Sequence, residues 1–389
     1  MSAGRPSINP FALLTRGLLW LLGIGLLILL MTSGLTTRLD NALYDLHLRH
    51  WGYQPGDDVV IVAIDPKSLD ALGRWPWPRA VHAQLLDRLT AAGVRGIGMD
   101  VTISEADAAH PENDQLLAQA IKRNGRVVMP LFAEPTELGG PPQEILPLPI
   151  VMQSAAALGQ VDVEEGLVRG AYLKAGLGQP YWPLMALAVY QLDNPAVAKN
   201  LLGLRSSMPS GSPYLWERDH YVLLRYAGAS GSFGRVSYVD VLHGDVSASL
   251  LKNRWVLVGA TAEGLGDVIT TPDGIIPGVE YQANVLESLR RGMTLTPLDI
   301  SAQLFLGACM LALPLLLYGS YGFRHLWTVA FVGLLAPMLL SLLLLRFGML
   351  WWPPSGVVLL IAAGLPGWSA FEWYQRRTGV GGRVTSPLA

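Results

Sequence analysis

The stretch Val59-Val60-Ile61-Val62-Ala63-Ile64-Asp65, followed by Pro66, decides the fold that this sequence predicts. A short β-branched run without polar alternation is typical of a strand that is buried on both faces of a sheet. Aspartate is favoured as a helix N-cap, and proline at the first helical position. We therefore expect the strand to lead at once into a short helix that continues through Leu72.

Helix and strand signals alternate after this first unit. Leucines at helical spacing predict a helix from Arg79 to Ala92, which Gly93 ends, and a second helix that Asn124-Gly125 closes. Apolar runs predict strands over 94–101 and 127–131. The order strand, helix, strand, helix, strand indicates an α/β domain with a mainly parallel sheet and right-handed crossovers.

Weaker signals continue this domain along the chain. We predict helices over 182–192 and 279–291 and strands over 221–226 and 255–258. Segments rich in proline, glycine or small polar residues predict surface loops over 134–149 and 206–213.

Apolar segments flank the domain on both sides. A helix of roughly 20 residues can cross a bilayer core, and four segments have the necessary character. The fold class that we expect is an α/β extracytoplasmic domain with a mainly parallel sheet, plus four transmembrane helices, one N-terminal and three C-terminal. Its parts are a cytoplasmic N-terminus (1–16), transmembrane helix 1 (17–35), the extracytoplasmic domain (36–301), a three-helix transmembrane module (302–371, with spans over 302–318, 327–345 and 353–371) and a short cytoplasmic tail (372–389).

Basic residues near the span ends predict the orientation. Only Arg346 lies in the turn between the third and fourth spans. Because basic residues favour the cytoplasmic side, we expect both termini in the cytoplasm and the large domain outside the plasma membrane. A cleaved signal peptide is the alternative, but no Ala-x-Ala site follows Met31, so we favour an uncleaved anchor. The basic residues assigned to the inside are Arg5, Arg16, Arg324, Arg376, Arg377 and Arg383.

Composition argues against a nucleic-acid partner and against a disulfide in the outside domain. The chain is 51% hydrophobic and 15% charged, which suits spans at both ends of a globular domain, and its net charge of -2 argues against a nucleic-acid partner. The only cysteine, Cys309, falls in the second predicted span. The outside domain therefore folds on its hydrophobic core without a disulfide.

The carboxyl ends of parallel strands are where ligands usually bind in open α/β sheets. Asp65, Asp100 and Thr261 are predicted to lie there, and we take them as candidate ligand-binding residues. Trp75, Trp77 and Arg79 follow the first strand and would form an aromatic wall beside a cation, suited to a small anionic or ring-bearing ligand. Each also has a structural interpretation, in which Asp65 caps a helix, the tryptophans pack the loop between prolines, and Arg79 pairs with Asp100.

Catalytic and metal chemistry find little support in the sequence. The acidic segment 105–114 matches no calcium-binding loop and reads as a solvated loop before the next helix. Residues 259–266 are glycine-rich but lack the Gly-Lys-Thr or Gly-Lys-Ser ending of a phosphate-binding loop, so we interpret them as a tight turn. We expect no catalytic residues, no metal site and no cofactor. The predicted spans lack internal charges, which disfavours a transporter.

Six segments together resemble the CHASE2 family, the extracellular sensory domains of bacterial receptors such as histidine kinases, adenylate or diguanylate cyclases and serine/threonine kinases. The Trp-Pro-Trp-Pro-Arg run after an Ile-Asp strand is the specific part of this resemblance. The matching segments are 41–49 (Asn-Ala-Leu-Tyr-Asp-Leu-His-Leu-Arg), 59–66, 73–79 (Gly-Arg-Trp-Pro-Trp-Pro-Arg), 96–100 (Gly-Ile-Gly-Met-Asp), 256–261 (Val-Leu-Val-Gly-Ala-Thr) and 277–280 (Pro-Gly-Val-Glu).

The resemblance implies a sensor that acts as a homodimer in the bilayer and relays an unknown signal to a cytoplasmic output domain. Only residues 372–389 follow the last predicted span, and no kinase or cyclase domain fits in them. We therefore expect either a sensor that serves a separate cytoplasmic kinase, cyclase or regulator, or the front part of a longer receptor. The alternative is an envelope scaffold that binds another protein and needs no small ligand.

Overall fold

The computed structural model describes residues 10–49, 51–136, 140–206, 211–266, 268–321 and 326–378. The chain forms two compact units, Leu48–Pro297 and a second that joins Met1–His47 to Leu298–Ala389. The helices are α1 (Pro10–Ser33), α2 (Thr37–Arg49), α3 (Pro66–Leu72), α4 (Arg79–Ala92), α5 (Pro111–Asn124), α6 (Pro149–Ser154), α7 (Met185–Gln191), α8 (Tyr238–His243), α9 (Ala248–Leu251), α10 (Gly278–Arg291), α11 (Ile300–Tyr321), α12 (Leu326–Gly348) and α13 (Ser355–Thr378).

Short strands alternate with these helices. They are β1 (Val59–Ile64), β2 (Gly96–Met99), β3 (Val127–Pro135), β4 (Pro142–Ile145), β5 (Ala157–Gln160), β6 (Gly170–Leu177), β7 (Trp182–Pro183), β8 (Trp216–Leu223), β9 (Gly234–Ser237), β10 (Trp255–Ala260), β11 (Val268–Thr271), β12 (Gly274–Pro277), β13 (Thr296–Pro297) and β14 (Leu350–Trp351).

A seven-stranded sheet forms the centre of the unit Leu48–Pro297. Its strand order is β4-β3-β2-β10-β1-β9, with β5 beside β3, and every pairing is parallel except that of β3 with β4. The predicted mainly parallel α/β fold is therefore confirmed. β10 inserts between β1 and β2, with Val59 opposite Trp255 and Ile64 opposite Ala260.

Strand β1, which lies between β10 and the edge strand β9, is buried along its whole length, as its sequence predicts. Val60, Val62 and Ile64 pack into one apolar core with residues of α4 and α5. Val59, Ile61 and Ala63 pack into a second core with residues of α7 and α10. The period of two along a strand thus places β1 between two helical layers.

Local sequence signals located the ends of several elements correctly. Asp65 caps α3, which ends at Leu72, and Gly93 (φ 70°) and Gly125 (φ 70°) adopt the left-handed conformation that ends α4 and α5. Glycine has no Cβ and adopts this conformation without the steric cost that other residues incur.

The region after β3 differs from the prediction in several details. Residues 134–149 were predicted to be a surface loop, but β3 continues to Pro135 and pairs with β4, while residues 137–139 lie outside the described residues. The helix predicted over 182–192 begins only at Met185, because Trp182-Pro183 form β7. β6 was not predicted. It pairs antiparallel with β8 and β7 in a separate three-stranded sheet.

The second unit contains the long apolar helices. Among the described residues, three helical stretches are long and apolar enough to cross a membrane, Leu14–Ser33, Ile300–Leu317 and Trp327–Gly348. The fourth predicted span does form a helix, α13, whose apolar stretch within the described part of the chain is Ser355–Gly367. Three of the four predicted spans therefore have the length and composition required, and the fourth stays a prediction.

Close contacts hold these helices together within their own unit. The Trp20 indole Nε1 donates to the Ala308 carbonyl oxygen at 2.8 Å, which joins α1 to α11. A Cβ added at Gly307 would lie 2.5 Å from Leu27 Cδ2, so a larger residue there would force the Leu27 side chain to shift. Small residues at such crossings are typical of membrane helix packing. Of the arginines used to predict orientation, Arg5, Arg324 and Arg383 lie outside the described residues.

Candidate functional site

Asp65 lies at the carboxyl end of β1, where the sequence placed it. Its Oδ1 accepts hydrogen bonds from the Ser68 amide (2.9 Å), the Ser68 hydroxyl (2.6 Å) and the Ser237 hydroxyl (2.9 Å). The first of these is the N-cap bond of α3. The predicted capping role is therefore confirmed, and the carboxylate also joins β1 to the end of β9.

Ser68 and Ser237 were not singled out in the sequence. Ser68 is completely buried, and its hydroxyl oxygen accepts a hydrogen bond from the Val239 amide at 3.2 Å in the first turn of α8. Short serine side chains reach backbone groups easily, but a lone serine in a sequence carries no indication of its partner. Only the parallel pairing of β1 with β9 brings Ser237 to Asp65.

Trp75 and Trp77 belong to one aromatic cluster. Their ring centroids are 5.1 Å apart, and the Trp77 ring lies 4.8 Å from that of Tyr238. Trp77 is 3% exposed, and its Nε1 donates to the Gly73 carbonyl oxygen at 2.9 Å. The predicted packing role is confirmed for Trp77, whereas the half-buried Trp75 contacts the same core from its edge.

A buried histidine completes this cluster. His82 is 1% exposed, and its Nδ1 lies 2.8 Å from the Tyr238 hydroxyl. Burial, followed by the charge of Arg79, lowers the pKa of His82 from 6.5 to about 4, so the imidazole is neutral at pH 7. The apolar residues at helical spacing around residue 82 predict a helix, but not this pairing.

Arg79 lies at the first turn of α4 and faces the acidic loop before α5. Its Nε is 3.1 Å from Asp114 Oδ1, and its NH2 group donates to the Glu105 carbonyl oxygen at 2.8 Å. Asp114 is thus a carboxylate partner that the sequence did not suggest, and the predicted pairing of Arg79 with Asp100 stays a prediction. Asp114 is 5% exposed and also accepts from the Asp107 amide at 2.9 Å, so this carboxylate orders the acidic loop.

Asp100 and Thr261 lie at the carboxyl edge of the sheet, as predicted. The Asp100 amide donates to the Val258 carbonyl oxygen at 2.7 Å, and the Thr261 amide donates to the Ile64 carbonyl oxygen at 3.1 Å. Gly259 lies beside both strand ends, and a Cβ added there would be 2.7 Å from Val279 Cβ and 3.3 Å from Asp100 Cβ. A glycine is thus needed where α10 begins against the sheet edge.

Of the six predicted residues, Asp65, Asp100 and Thr261 lie at the carboxyl edge of the sheet, whereas the other three lie between α3 and the start of α4. Four of the six fall into three local networks. Asp65 bonds to serines, the tryptophans pack with His82 and Tyr238, and Arg79 contacts the acidic loop. Their binding of a ligand stays a prediction. In the described residues, no group of three or more histidine, cysteine or carboxylate side chains is arranged to hold a metal ion.

A buried polar stripe on α10 is the main feature that the sequence analysis missed. Glu280, Asn284 and Glu287 recur on one face of a helix that is buried from Val279 to Ser288. Glu280 is 1% exposed and accepts from the Gly231 amide (2.9 Å) and the Ser232 amide (3.0 Å).

The other two members of the stripe hold the segment by which the chain enters the unit. Asn284 Oδ1 accepts from the Ala227 amide at 2.9 Å and from the Tyr53 hydroxyl at 3.4 Å. The fully buried Glu287 accepts from the Gly56 amide at 3.0 Å and pairs with Arg291 Nε at 2.6 Å. Polar residues spaced by four and three positions within a helix were the signal that could have revealed this face.

Comparison with known families gives one match. A sequence model described as the CHASE2 domain matches residues 21–318. Among curated proteins and among solved structures, no significant match was found.

Proposed function

Because this chain belongs to the CHASE2 domain family, a family of extracytoplasmic sensory domains without catalytic activity, we propose that it is a bacterial membrane sensor. The unit Leu48–Pro297 responds to a cue outside the plasma membrane. The apolar helices relay that response to a separate cytoplasmic kinase, cyclase or regulator, or to an output domain of a longer receptor.

The observation that carries this proposal is the polar face of α10. It bonds to Tyr53 and Gly56, which lie directly after α2, and the same helix leads within a few residues to the start of α11. One buried helix therefore holds the incoming chain and continues into the outgoing chain. A cue that displaces α10 displaces both connections.

The topology belongs to the same proposal. Four membrane crossings, with α13 as the last, place both termini in the cytoplasm and the unit Leu48–Pro297 outside. The basic residues near the span ends support this orientation. We further propose a homodimer, since a cue shared between paired subunits can change the packing of their membrane helices.

Crosslinking in native membranes tests the relay. The tagged full chain is crosslinked in its own bacterium, purified, and its attached proteins are identified by mass spectrometry. We expect a kinase, cyclase or transcription regulator attached on the cytoplasmic side. Recovery of envelope proteins alone would contradict the relay. A parallel sample without crosslinker controls for proteins that adhere during purification.

One observation favours a second candidate function, an envelope scaffold. Val268 and Ile275, on the β11–β12 hairpin, are 68% and 61% exposed. Exposed apolar residues contribute to protein contacts where they belong to a larger patch. A thermal-shift screen of the unit Leu48–Pro297 separates the candidates, because a small molecule that binds the folded unit raises its melting temperature. Stabilisation by such a molecule supports the sensor, and none across a broad screen supports the scaffold.

A further inference from the structure

The turn between α12 and α13, residues 350–355, receives a carboxylate from α2. Asp40 Oδ1 accepts a hydrogen bond from the Ser355 amide at 2.9 Å, and Asp40 and Ser355 are only 7% and 4% exposed. Ser355 is the first residue of α13, so its amide has no partner within the helix. Asp40 thus caps α13 from another helix and places negative charge at its N-terminus, where the helix dipole favours it.

Aromatic contacts extend this docking along one face of α2. Tyr44 is 1% exposed, and its ring centroid lies 5.2 Å from that of Trp351. The His47 ring lies 6.4 Å from the same indole. Positions 40, 44 and 47 follow helical spacing, so a single face of α2 covers the turn.

Leu298, the first residue after the unit Leu48–Pro297, contacts the same turn. The Leu298 amide donates to the Trp351 carbonyl oxygen at 2.9 Å. The Ser341 hydroxyl of α12 donates to the Trp352 carbonyl oxygen at 2.6 Å, and the Trp352 side chain is 1% exposed. The turn is therefore fixed to α12, to α2 before the unit Leu48–Pro297, and to the residue that follows this unit.

We propose that residues 350–355 are the receiver of the sensor, the part that takes up its movement. A displacement of α2 and Leu298 moves this turn, and the Asp40 cap transmits the movement to α13. This inference rests on the proposed function. With α2 docked, the first turn of α13 is capped. When α2 moves away, the Ser355 amide loses its acceptor, and α13 loses its fixed position.

Spin-label distance measurement tests the docking on the full chain in lipid nanodiscs. Cys309→Ser removes the native thiol, and labels are attached through Leu46→Cys on α2 and Phe347→Cys on α12. Both positions are exposed, at 52% and 84%, so the labels disturb little packing. We expect one narrow distance distribution in the parent.

Three variants then test whether the hydrogen bond from the Ser355 amide to Asp40 holds α2 in place. Asp40→Ala should broaden the distribution, whereas Asp40→Asn should keep it narrow, because an amide oxygen still accepts from the Ser355 amide. Asp70→Ala removes the same charge from an exposed position in α3 and should change nothing. A narrow distribution in Asp40→Ala would overturn the docking role of Asp40.

Partner recovery tests the relay separately. In the native-membrane crosslinking experiment, Asp40→Ala should reduce the recovery of the cytoplasmic partner, and Asp40→Asn should restore it. Unchanged recovery with a broadened distribution would overturn the receiver while leaving the sensor intact. If even the parent recovers no cytoplasmic partner, the proposed function fails, and the distance measurement still decides whether Asp40 docks α2.

Discussion

His82 illustrates how tertiary burial fixes the protonation of a single residue. Its ring lies 5.6 Å from Trp75 and 5.9 Å from Tyr238, and the His82 side chain itself is almost completely shielded from water. An imidazolium in this position would lose its hydration, and the charge of Arg79 adds repulsion, so the folded state holds the neutral ring.

We predict that acid destabilises the unit Leu48–Pro297 through His82. Its pKa is 6.5 in the unfolded chain and about 4 in the folded one, so the unfolded state binds more protons between these values. The contribution is complete above pH 6.5 and is lost as the pH falls toward 4. The full difference corresponds to about 3 kcal/mol. Urea unfolding at several pH values measures it.

Substitution separates His82 from other acid-sensitive groups. His82→Gln should flatten the dependence of unfolding free energy on pH between 4 and 6.5. His110→Gln removes a histidine whose side chain is 66% exposed and should leave the dependence as it is. If the unfolding free energy depends on pH equally in the His82→Gln variant and the parent, the acid sensitivity does not come from His82.

Asp65 carries a second prediction at the residue scale. Asp65→Ala should lower the free energy of unfolding by about 1–2 kcal/mol, because the α3 cap is lost and two serine hydroxyls lose their acceptor. Asp65→Asn keeps an oxygen acceptor and should lose less. Denaturant unfolding of both variants measures the difference. Asp70→Ala, an exposed position in the same helix, is the control, and a loss there as large as in Asp65→Ala would refute the capping account.

At the scale of elements, α10 differs from an ordinary amphipathic helix, whose polar face is exposed to solvent. Its polar stripe faces inward and is satisfied by backbone amides and arginines, so the helix is buried on its polar side as well as on its apolar side. A buried carboxylate is tolerated only when it is paired and hydrogen-bonded. The stripe therefore specifies which chain segments lie against α10.

Glu287→Ala should destabilise the unit by about 3 kcal/mol, because Arg290 and Arg291 lose their shared carboxylate and the Gly56 amide loses its acceptor. Hydrogen exchange of the full chain should show faster exchange of the Gly56 amide. Denaturant unfolding supplies the free energy.

The matched control for this helix is Glu263→Ala. Glu263 is an exposed glutamate in the same unit, and its removal should change the unfolding free energy by less than about 0.5 kcal/mol. If Glu287→Ala is as mild as Glu263→Ala, the buried stripe does not stabilise the entry segment.

At the scale of the whole molecule, the membrane topology depends on whether α13 crosses the bilayer. Among the described residues, the apolar stretch of α13 runs from Ser355 to Gly367, and the whole helix has 24 residues, more than the roughly 20 that a straight span requires. Membranes accommodate short spans by local thinning or by extension of flanking side chains toward the interface. We predict that α13 does cross.

Cysteine labelling in intact cells measures this topology. In a Cys309→Ser background, Ala389→Cys should resist a membrane-impermeant maleimide until the cells are opened, as the proposed cytoplasmic location of the C-terminus requires. Asp70→Cys, on the unit Leu48–Pro297, should react in intact cells and serves as the exposed control. Reaction of Ala389→Cys in intact cells would place both ends of α13 outside.

Prediction from sequence succeeded where a signal is local. β1, α3, α4 and α5 each carry their own strand run, cap or terminating glycine, and the structure places them there. The edge that holds Asp65, Asp100 and Thr261 followed from the rule for parallel strands. Prediction failed for β6, because Gly170–Leu177 mixes glycine, tyrosine and lysine and gives no clear alternation.

The sequence by itself determined that the chain has an α/β unit between apolar helices, that β1 is buried on both faces, and that the chain carries CHASE2 segments. These depend on residues close together in the chain, whose spacing and capping preferences act locally. Only the tertiary structure decided that β10 separates β1 from β2, that Arg79 meets Asp114, and that Asp40 caps α13. These contacts join residues far apart in sequence, and their partners are selected by the packing of whole elements, which no local pattern encodes.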